Sequence, residues 1–424
     1  MHRILTCVLL TITTCIQAQT IKKYLLKNRE NMVASDFQFH PDTFRILGFG
    51  AYHGSAKTYW AEYALLSSLT KQGRVKYYIP ETNFAQAWFF NHYMEFGDTI
   101  LLKDLVAQFQ TIVGQEGTID TYQHWKRIKN LNDELPPSGQ FKVVGLDIIN
   151  EYKYPIKLIT HLLHRGDKIE SVVLLKEILK ADTSDYRRRP KSYIGTTLKS
   201  FLIDNQMHPK KYQSIVSDSL TYYHLLKNLD YVFNSNLRRE EIIYRNYITL
   251  SPHYEFDSKN QFLKYGFSHI LKAREGNSSS FFSKLIESGH CKRNEIITVM
   301  GYLTKSEVLW DKKYDQQKRY QGFTIEYGFG IGDYWKEYFK GIHHLKKTAC
   351  ADITLFKLNN MISPYRCRID LIKVKMFMKK SNHRYWINKA TTDFIDYAVL
   401  IKNSPAQIPI EELESDLTKT HHRQ

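Results

Sequence analysis

The chain has 424 residues, 43% hydrophobic and 14% aromatic, which excludes a disordered protein and suits one large α/β domain or two smaller ones. Its formal charge is +17, with 60 Lys and Arg against 43 Asp and Glu. That surplus favours anionic partners, but no recognised nucleic-acid motif accompanies it, so nucleic acid is not an expected partner.

The N-terminus reads as a secretory signal peptide over residues 1–18. Met1-His-Arg3 is a short basic start, residues 4–16 are apolar and nearly uncharged, and Ala18 offers a small residue for cleavage. Export to the periplasm or the exterior is the expectation. Lipid attachment at Cys15 is the weaker reading, because Thr14 is a poor residue before a lipidated cysteine. No later run is long and apolar enough for a spanning helix. Of five cysteines, Cys7 and Cys15 leave with the signal. Cys291, Cys350 and Cys367 remain, with Cys350–Cys367 the local pair and three free thiols equally compatible.

After a mixed polar stretch over 20–42, residues 44–47 form the first convincing strand and run into Gly48-Phe-Gly-Ala-Tyr-His-Gly54. Tyr59, Tyr63, Leu66 and Leu69 then recur at helical spacing, and Gly73 ends that helix. Residues 75–79 are a short β-rich run, residues 80–84 a turn and residues 84–94 a second helix. Strand, helix, strand, helix predicts a parallel pair with a right-handed crossover. Asp98 caps a helix reaching 113, and a further helix over 122–132 carries Trp125 and Ile128 on one side. Residues 141–147 are a third strand ending on Asp147.

Residues 155–235 turn polar, basic and helical in pattern, with candidates at 156–163, 172–179 and 215–233; the stretch reads as a helical insertion or cap. Residues 237–247 are a charged helix. Residues 262–269 repeat the earlier order of apolar run, glycine and histidine, and 281–287 form a helix. Two more strands are expected at 295–302 and 394–401. Residues 303–392 are aromatic and basic with few clean signals, and the glycine-rich 328–332 lacks a feeding strand and a phosphate-loop pattern. The expected organisation is a mostly parallel α/β sheet flanked by helices: 19–154 as a first half, 155–235 as the insertion, 236–409 as a second half and 410–424 as a flexible tail.

His53, Glu81, Asp147 and His269 each follow a predicted strand. In a parallel sheet such ends share one edge, so His53, Glu81 and His269 are expected to face one cleft. A histidine and a carboxylate suit general base catalysis, and a second histidine can donate to a leaving group or a developing oxyanion. No GxSxG elbow is present, so no serine nucleophile is expected. No cofactor is expected; the same residue types can ligate a metal, which leaves a metal as an alternative, although no HExxH-like spacing occurs.

The order of motifs resembles the erythromycin esterase family. Gly50-Ala-Tyr-His-Gly54 resembles part of its GE-x-x-HG turn, and Glu81-Thr-Asn-Phe84 with Ala87 and Asn91-His-Tyr93 resembles its E-x-x-F…N-x-Y segment. Trp125-Lys-Arg-Ile-Lys-Asn130 with Gly145-Leu-Asp147 resembles its tryptophan helix and G-x-D strand end. Arg239-Glu-Glu-Ile-Ile-Tyr-Arg-Asn246 and Gly266-Phe-Ser-His-Ile270 resemble its R-D-x-x-M-x-x-N helix and the strand end bearing its second histidine. The resemblance implies a serine-independent hydrolase that opens an ester or lactone with an activated water. It maps the base onto His53, the active-site glutamate onto Glu81 and the second histidine onto His269. Arg239 becomes a substrate or charge-stabilising contact, and Asn91, Trp125, Asp147 and Asn246 become supports of the cleft.

Two departures stand out. Gly50 and Lys57 occupy places where the family carries acids. The loss opens a second reading, a catalytically impaired relative binding an anionic ligand or polymer with Lys57. On the first reading the partner is a small ester-containing substrate, and Glu at positions 50 and 57 should raise activity. The sequence sets no oligomeric state.

Overall fold

The computed structural model describes residues 21–109, 113–181, 185–327, 333–378, 382, 386 and 388–413. Residues 1–18, expected as a signal peptide, the glycine-rich 328–332 and the tail beyond 413 lie outside the described residues. The chain divides into two compact units. The first runs up to Val75 and resumes over Asn260–Gln407; the second comprises Lys76–Lys259 and the chain from Ile408 onward.

In chain order the strands are β1 (Arg29–Asn31), β2 (Ile46–Gly50), β3 (Tyr77–Pro80), β4 (Lys142–Val143), β5 (Gln261–Tyr265) and β6 (Ile296–Thr304). They continue with β7 (Glu307–Tyr314), β8 (Tyr320–Tyr327), β9 (Glu337–Phe339), β10 (Ile353–Lys357), β11 (Val374–Met376) and β12 (Tyr397–Lys402). The helices are α1 (Lys57–Lys71), α2 (Phe84–Phe96), α3 (Thr99–Phe109), α4 (Ile119–Asp133), α5 (Lys153–Leu162) and α6 (Glu170–Lys180). Then come α7 (Tyr193–Met207), α8 (Pro209–Gln213), α9 (Ser219–Asn234), α10 (Arg239–Tyr254), α11 (Phe281–Glu287) and α12 (Ile342–Thr348).

In the first unit β5, β2, β6 and β12 pair in parallel, and β10 and β1 extend the β12 side antiparallel. The parallel strands are the most apolar because both of their faces are covered. Every residue of β2, β5 and β6 is buried. At the start of β6 and β12, Lys272 and Asp396 form an ion pair of 2.6 Å, each side chain 4% exposed. Asp396 also accepts the Thr298 N–H at 2.9 Å and Asn359 at 2.7 Å, so its charge is buried with partners on every side. In the second unit β3 and β4 pair in parallel and the helices α2 to α10 follow. This is the mostly parallel α/β arrangement that the strand–helix order predicts.

Several expectations change. β2 has β5 and β6 on its two sides, so it does not form the expected parallel pair with β3. The strand expected over 141–147 is paired only at Lys142–Val143. Beyond it the chain closes on Asn83: a Cβ on Gly145 would strike the Asn83 carbonyl, and Asp147 meets Asn83 as a single bridge. The featureless stretch 303–392 contains the β7–β8 hairpin, β9, β10, β11 and α12. Cys291, Cys350 and Cys367 are all free thiols, so the local Cys350–Cys367 bridge is not formed. The unit boundary falls after Val75, and the expected insertion 155–235 lies inside the second unit with α2 to α4.

Candidate functional site

In the first unit the histidines sit on two neighbouring strand ends. β2 and β5 run parallel with Gly50 opposite Tyr265. His53 and His269 therefore follow the same edge, three and four residues beyond that pair. Gly54 closes the first turn at φ +84°, a conformation glycine adopts without strain. Its carbonyl accepts the N–H groups of Leu309 at 2.9 Å and Gln407 at 3.0 Å, and a Cβ there would collide with the Leu309 backbone. Ser55 donates to Ser404 Oγ at 2.7 Å, and Ser404 Oγ accepts the Lys57 N–H at 2.8 Å. The turn is thus stapled to the segment after β12, and His53 stands half-buried on a fixed backbone.

After β5 the chain makes a short 3-10 turn over Phe267–Ile270, with the His269 N–H on the Gly266 carbonyl at 3.1 Å. The His269 ring meets Tyr265 edge-on at 5.7 Å. Tyr52 and Phe267 join the two turns, their rings 6.3 Å apart. Burial, then the charge of Glu337, pushes the Tyr52 hydroxyl well above its ordinary pKa, so it remains a neutral phenol.

The two departures have physical explanations. A Cβ on Gly50 would lie 2.7 Å from Ile270 Cδ1, 3.1 Å from its Cγ1 and 3.3 Å from Met300 Sδ. The space beside Gly50 is therefore filled with apolar atoms, which speaks against the expectation that Glu at position 50 raises activity. Lys57 Nζ donates to Asp352 at 2.6 Å and to the Lys402 carbonyl at 3.3 Å. That bond holds the Asp352 carboxyl below its usual range. The Lys57 cation is compensated in the fold, and Lys57→Glu would set a carboxylate against Asp352. Glu62 on α1, fully buried, is an acid that the helical pattern did not single out.

In the second unit Glu81 follows β3 and Asp147 follows β4. Asn83 caps α2 by accepting the Gln86 N–H at 3.0 Å, and Asp147 donates its N–H to the Thr82 carbonyl at 3.1 Å. Arg239, the first residue of α10, bridges both acids. Its Nε donates to Asp147 Oδ1 at 2.8 Å, and its Nη2 donates to Asp147 Oδ2 and to Glu81 Oε1, the latter at 2.6 Å. Burial opposes the Arg239 charge, but Asp147 and then Glu81 outweigh it and raise its pKa. Glu81 is thus held as an ion-paired carboxylate. The Asp147 side chain is 1% exposed and also accepts the Ile148 N–H at 2.7 Å.

Of the residues named as supports, Asn91 and Asn246 bond the backbone of β4 and the segment after it, and Trp125 packs on aromatic rings. Asn91 donates to the Val143 carbonyl at 2.7 Å and accepts the Val143 N–H at 2.9 Å, completing the edge of β4. Asn246 donates to the Leu146 carbonyl and to Asn228 Oδ1, both at 2.8 Å. Trp125 stacks on Phe90 with ring centroids 3.8 Å apart.

Each unit therefore gathers part of the expected set: His53 and His269 in the first, Glu81, Asp147 and Arg239 in the second. Among the described residues no group of three or more His, Cys, Asp or Glu could hold a metal ion. Two cavities of the first unit, about 730 and 600 Å³, are walled by Trp60, Tyr63 and Lys71 and by Lys272, Arg293 and Asp396, without His53 or His269.

No protein-family model matches the chain. No curated protein matches it either. Solved structures share its fold. A succinoglycan biosynthesis protein is 13% identical with a TM-score of 0.60, over 92% of this chain and 98% of that one. A Bacillus cereus protein is 11% identical with a TM-score of 0.58, over 92% and 99%. A mutant of erythromycin esterase EreC in its open conformation is 12% identical with a TM-score of 0.57, over 87% and 92%. The chain has an erythromycin esterase-like fold.

Proposed function

We propose that the chain is a hydrolase that opens an ester or lactone bond with a water activated by His53. The observation that carries this reading is the placement of His53 and His269 after neighbouring parallel strands, in a fold shared with erythromycin esterase EreC. Imidazole takes a proton from water at near-neutral pH, and His269 then donates to the oxygen that gains charge as the carbonyl is attacked. Atoms balance simply: water oxygen bonds to the carbonyl carbon, the ester oxygen leaves, and the proton taken by imidazole passes to it. Glu81 and Arg239 form an ion-paired centre in the second unit, and Glu81→Gln tests whether the reaction draws on it. Export by residues 1–18 belongs to the same proposal, and N-terminal sequencing of exported protein tests it.

The alternative, an anion-binding relative without catalysis, gains no support from Lys57, whose ammonium is bonded to Asp352. The test is a panel of small esters and lactones hydrolysed in water enriched in oxygen-18. Turnover with one labelled oxygen in the acid product, lost in His53→Ala, supports the proposal. Absence of turnover across the panel removes it.

A further inference from the structure

The β9–β11 ribbon of the first unit has two dissimilar faces. Tyr338 stands opposite Lys375 and Glu337 opposite Met376. The ladder extends at both ends, with the Lys340 N–H on the Lys373 carbonyl at 2.8 Å and the Phe377 N–H on the Lys336 carbonyl at 2.6 Å. Strand alternation then places Lys336, Tyr338 and Lys340 on the same face as Lys373, Lys375 and Phe377. The other face carries Phe339, Val374 and Met376. Phe339 anchors the ribbon, its ring 5.2 Å from Phe267 and 5.3 Å from Tyr302.

The lysine-bearing face is open, and its Phe377 end is flanked by large exposed apolar groups. Trp335 is 63% exposed, Phe377 54% and Met378 90%. Trp335 and Phe377 pack on each other at 5.1 Å, and Lys336 Nζ lies 5.1 Å over the Trp335 ring. Lys340 and Lys373 are directly opposed, a like-charge pair that weakens a ribbon. Burial, then the charges of Lys375 and Lys340, pulls the Lys373 ammonium below its ordinary pKa. The nearby acids are committed, one of them to a lysine of this face. Asp370 takes Lys340 at 3.3 Å, Asp333 takes Lys346 at 2.6 Å, and Glu337 belongs to the opposite face.

We propose that this ribbon face docks the protein on an anionic lipid surface, with Trp335 and Phe377 entering the headgroup layer and Lys336, Lys373 and Lys375 lying over the phosphates. Exposed aromatic and apolar tips beside lysines fit a lipid–water interface, whereas a soluble polyanion calls on the lysines alone. Each lysine near an anionic membrane contributes about fivefold in partitioning, an effect screened by salt.

The test is co-sedimentation of the full chain with vesicles of phosphatidylglycerol and phosphatidylcholine, against phosphatidylcholine alone. Binding to the anionic vesicles is expected, falling with added salt. It should drop about tenfold or more in Lys373→Gln/Lys375→Gln and by a comparable factor in Trp335→Ser/Phe377→Ser. Both variants change exposed or rim positions, and unchanged thermal unfolding confirms their folding. No binding to anionic vesicles, or binding that neither variant alters, overturns the proposal. Binding that is lost in the lysine variant, unchanged in the aromatic one and fully displaced by polyglutamate also overturns it, in favour of a soluble polyanion.

Discussion

Gly50→Ala isolates the contact between the Gly50 turn and Ile270. The new methyl would stand 2.7 Å from Ile270 Cδ1, about 1 Å inside an ordinary carbon–carbon contact. Ile270 is fully buried and its Cγ2 lies 3.1 Å from the Cβ position of Gly48, so it has little room to withdraw. Overpacking of this kind costs about 1–3 kcal/mol, while replacing glycine by alanine returns about 0.4–1 kcal/mol through the unfolded chain. The net expectation is a loss of about 1–2 kcal/mol, or a few degrees in Tm at roughly 2–4 °C per kcal/mol. Gly50→Glu adds a carboxylate among apolar atoms and should lose more. Ile270→Val removes Cδ1 at a cost of about 0.5–1.5 kcal/mol, and in the double variant the closest overlap, 2.7 Å, is relieved. Thermal and urea unfolding of the wild type, both single variants and the double variant form a cycle with an expected favourable coupling of about 1 kcal/mol. Strict additivity, or a neutral Gly50→Ala, would refute the packing argument.

Three further outcomes are expected. Arg239→Ala leaves Asp147 buried without its main partner and should lower stability by about 3 kcal/mol, measured by urea unfolding; an effect near zero would mean that the pair is dispensable. Two buried groups of the second unit give opposite pH dependences. Burial raises the fully buried Glu151 carboxyl to about 7, so its contribution is intact below the unfolded value of about 4.5 and fades as pH rises through about 7; Glu151→Gln should gain about 3 kcal/mol at pH 8 and little at pH 4. Burial, then Lys227, lowers His224 to about 4, so the neutral ring's stabilisation is present above about 6.5 and is lost as pH falls toward 4; His224→Gln should flatten that acid limb. In thiol labelling with peptide mapping, Cys350 and Cys367 should react in the native protein, and Cys291, 2% exposed, only on unfolding.

Local signals carried much of the fold. The run into Gly54, the helical spacing of Tyr59, Leu66 and Leu69, the helix that follows the 80–84 turn and the apolar β6 and β12 are short-range patterns, and each appears where the sequence places it. The β7–β8 hairpin is not legible in the sequence because β7 alternates poorly, with Asp311, Lys312 and Lys313 in its exposed half. β4 is shorter than its apolar run because the chain closes on Asn83 at Gly145, a long-range contact that the run does not show. At the site, the histidines were legible as glycine-flanked residues after strands. Their surroundings were not. Lys57 meets Asp352 from 295 residues away, and Arg239 meets Glu81 from 158. Nothing near Gly50 in sequence announces that Ile270 fills the space above it.

The measurement that bears most directly on the central claim is kcat/KM for an ester or lactone substrate in the wild type and His53→Ala, with and without a serine-directed fluorophosphonate. A proton-transferring base contributes about 10²–10⁴-fold. The account predicts a loss of that size in His53→Ala, with folding retained, and no inhibition of the wild type by the fluorophosphonate. Wild-type turnover that survives the substitution, or that the serine reagent abolishes, would contradict it.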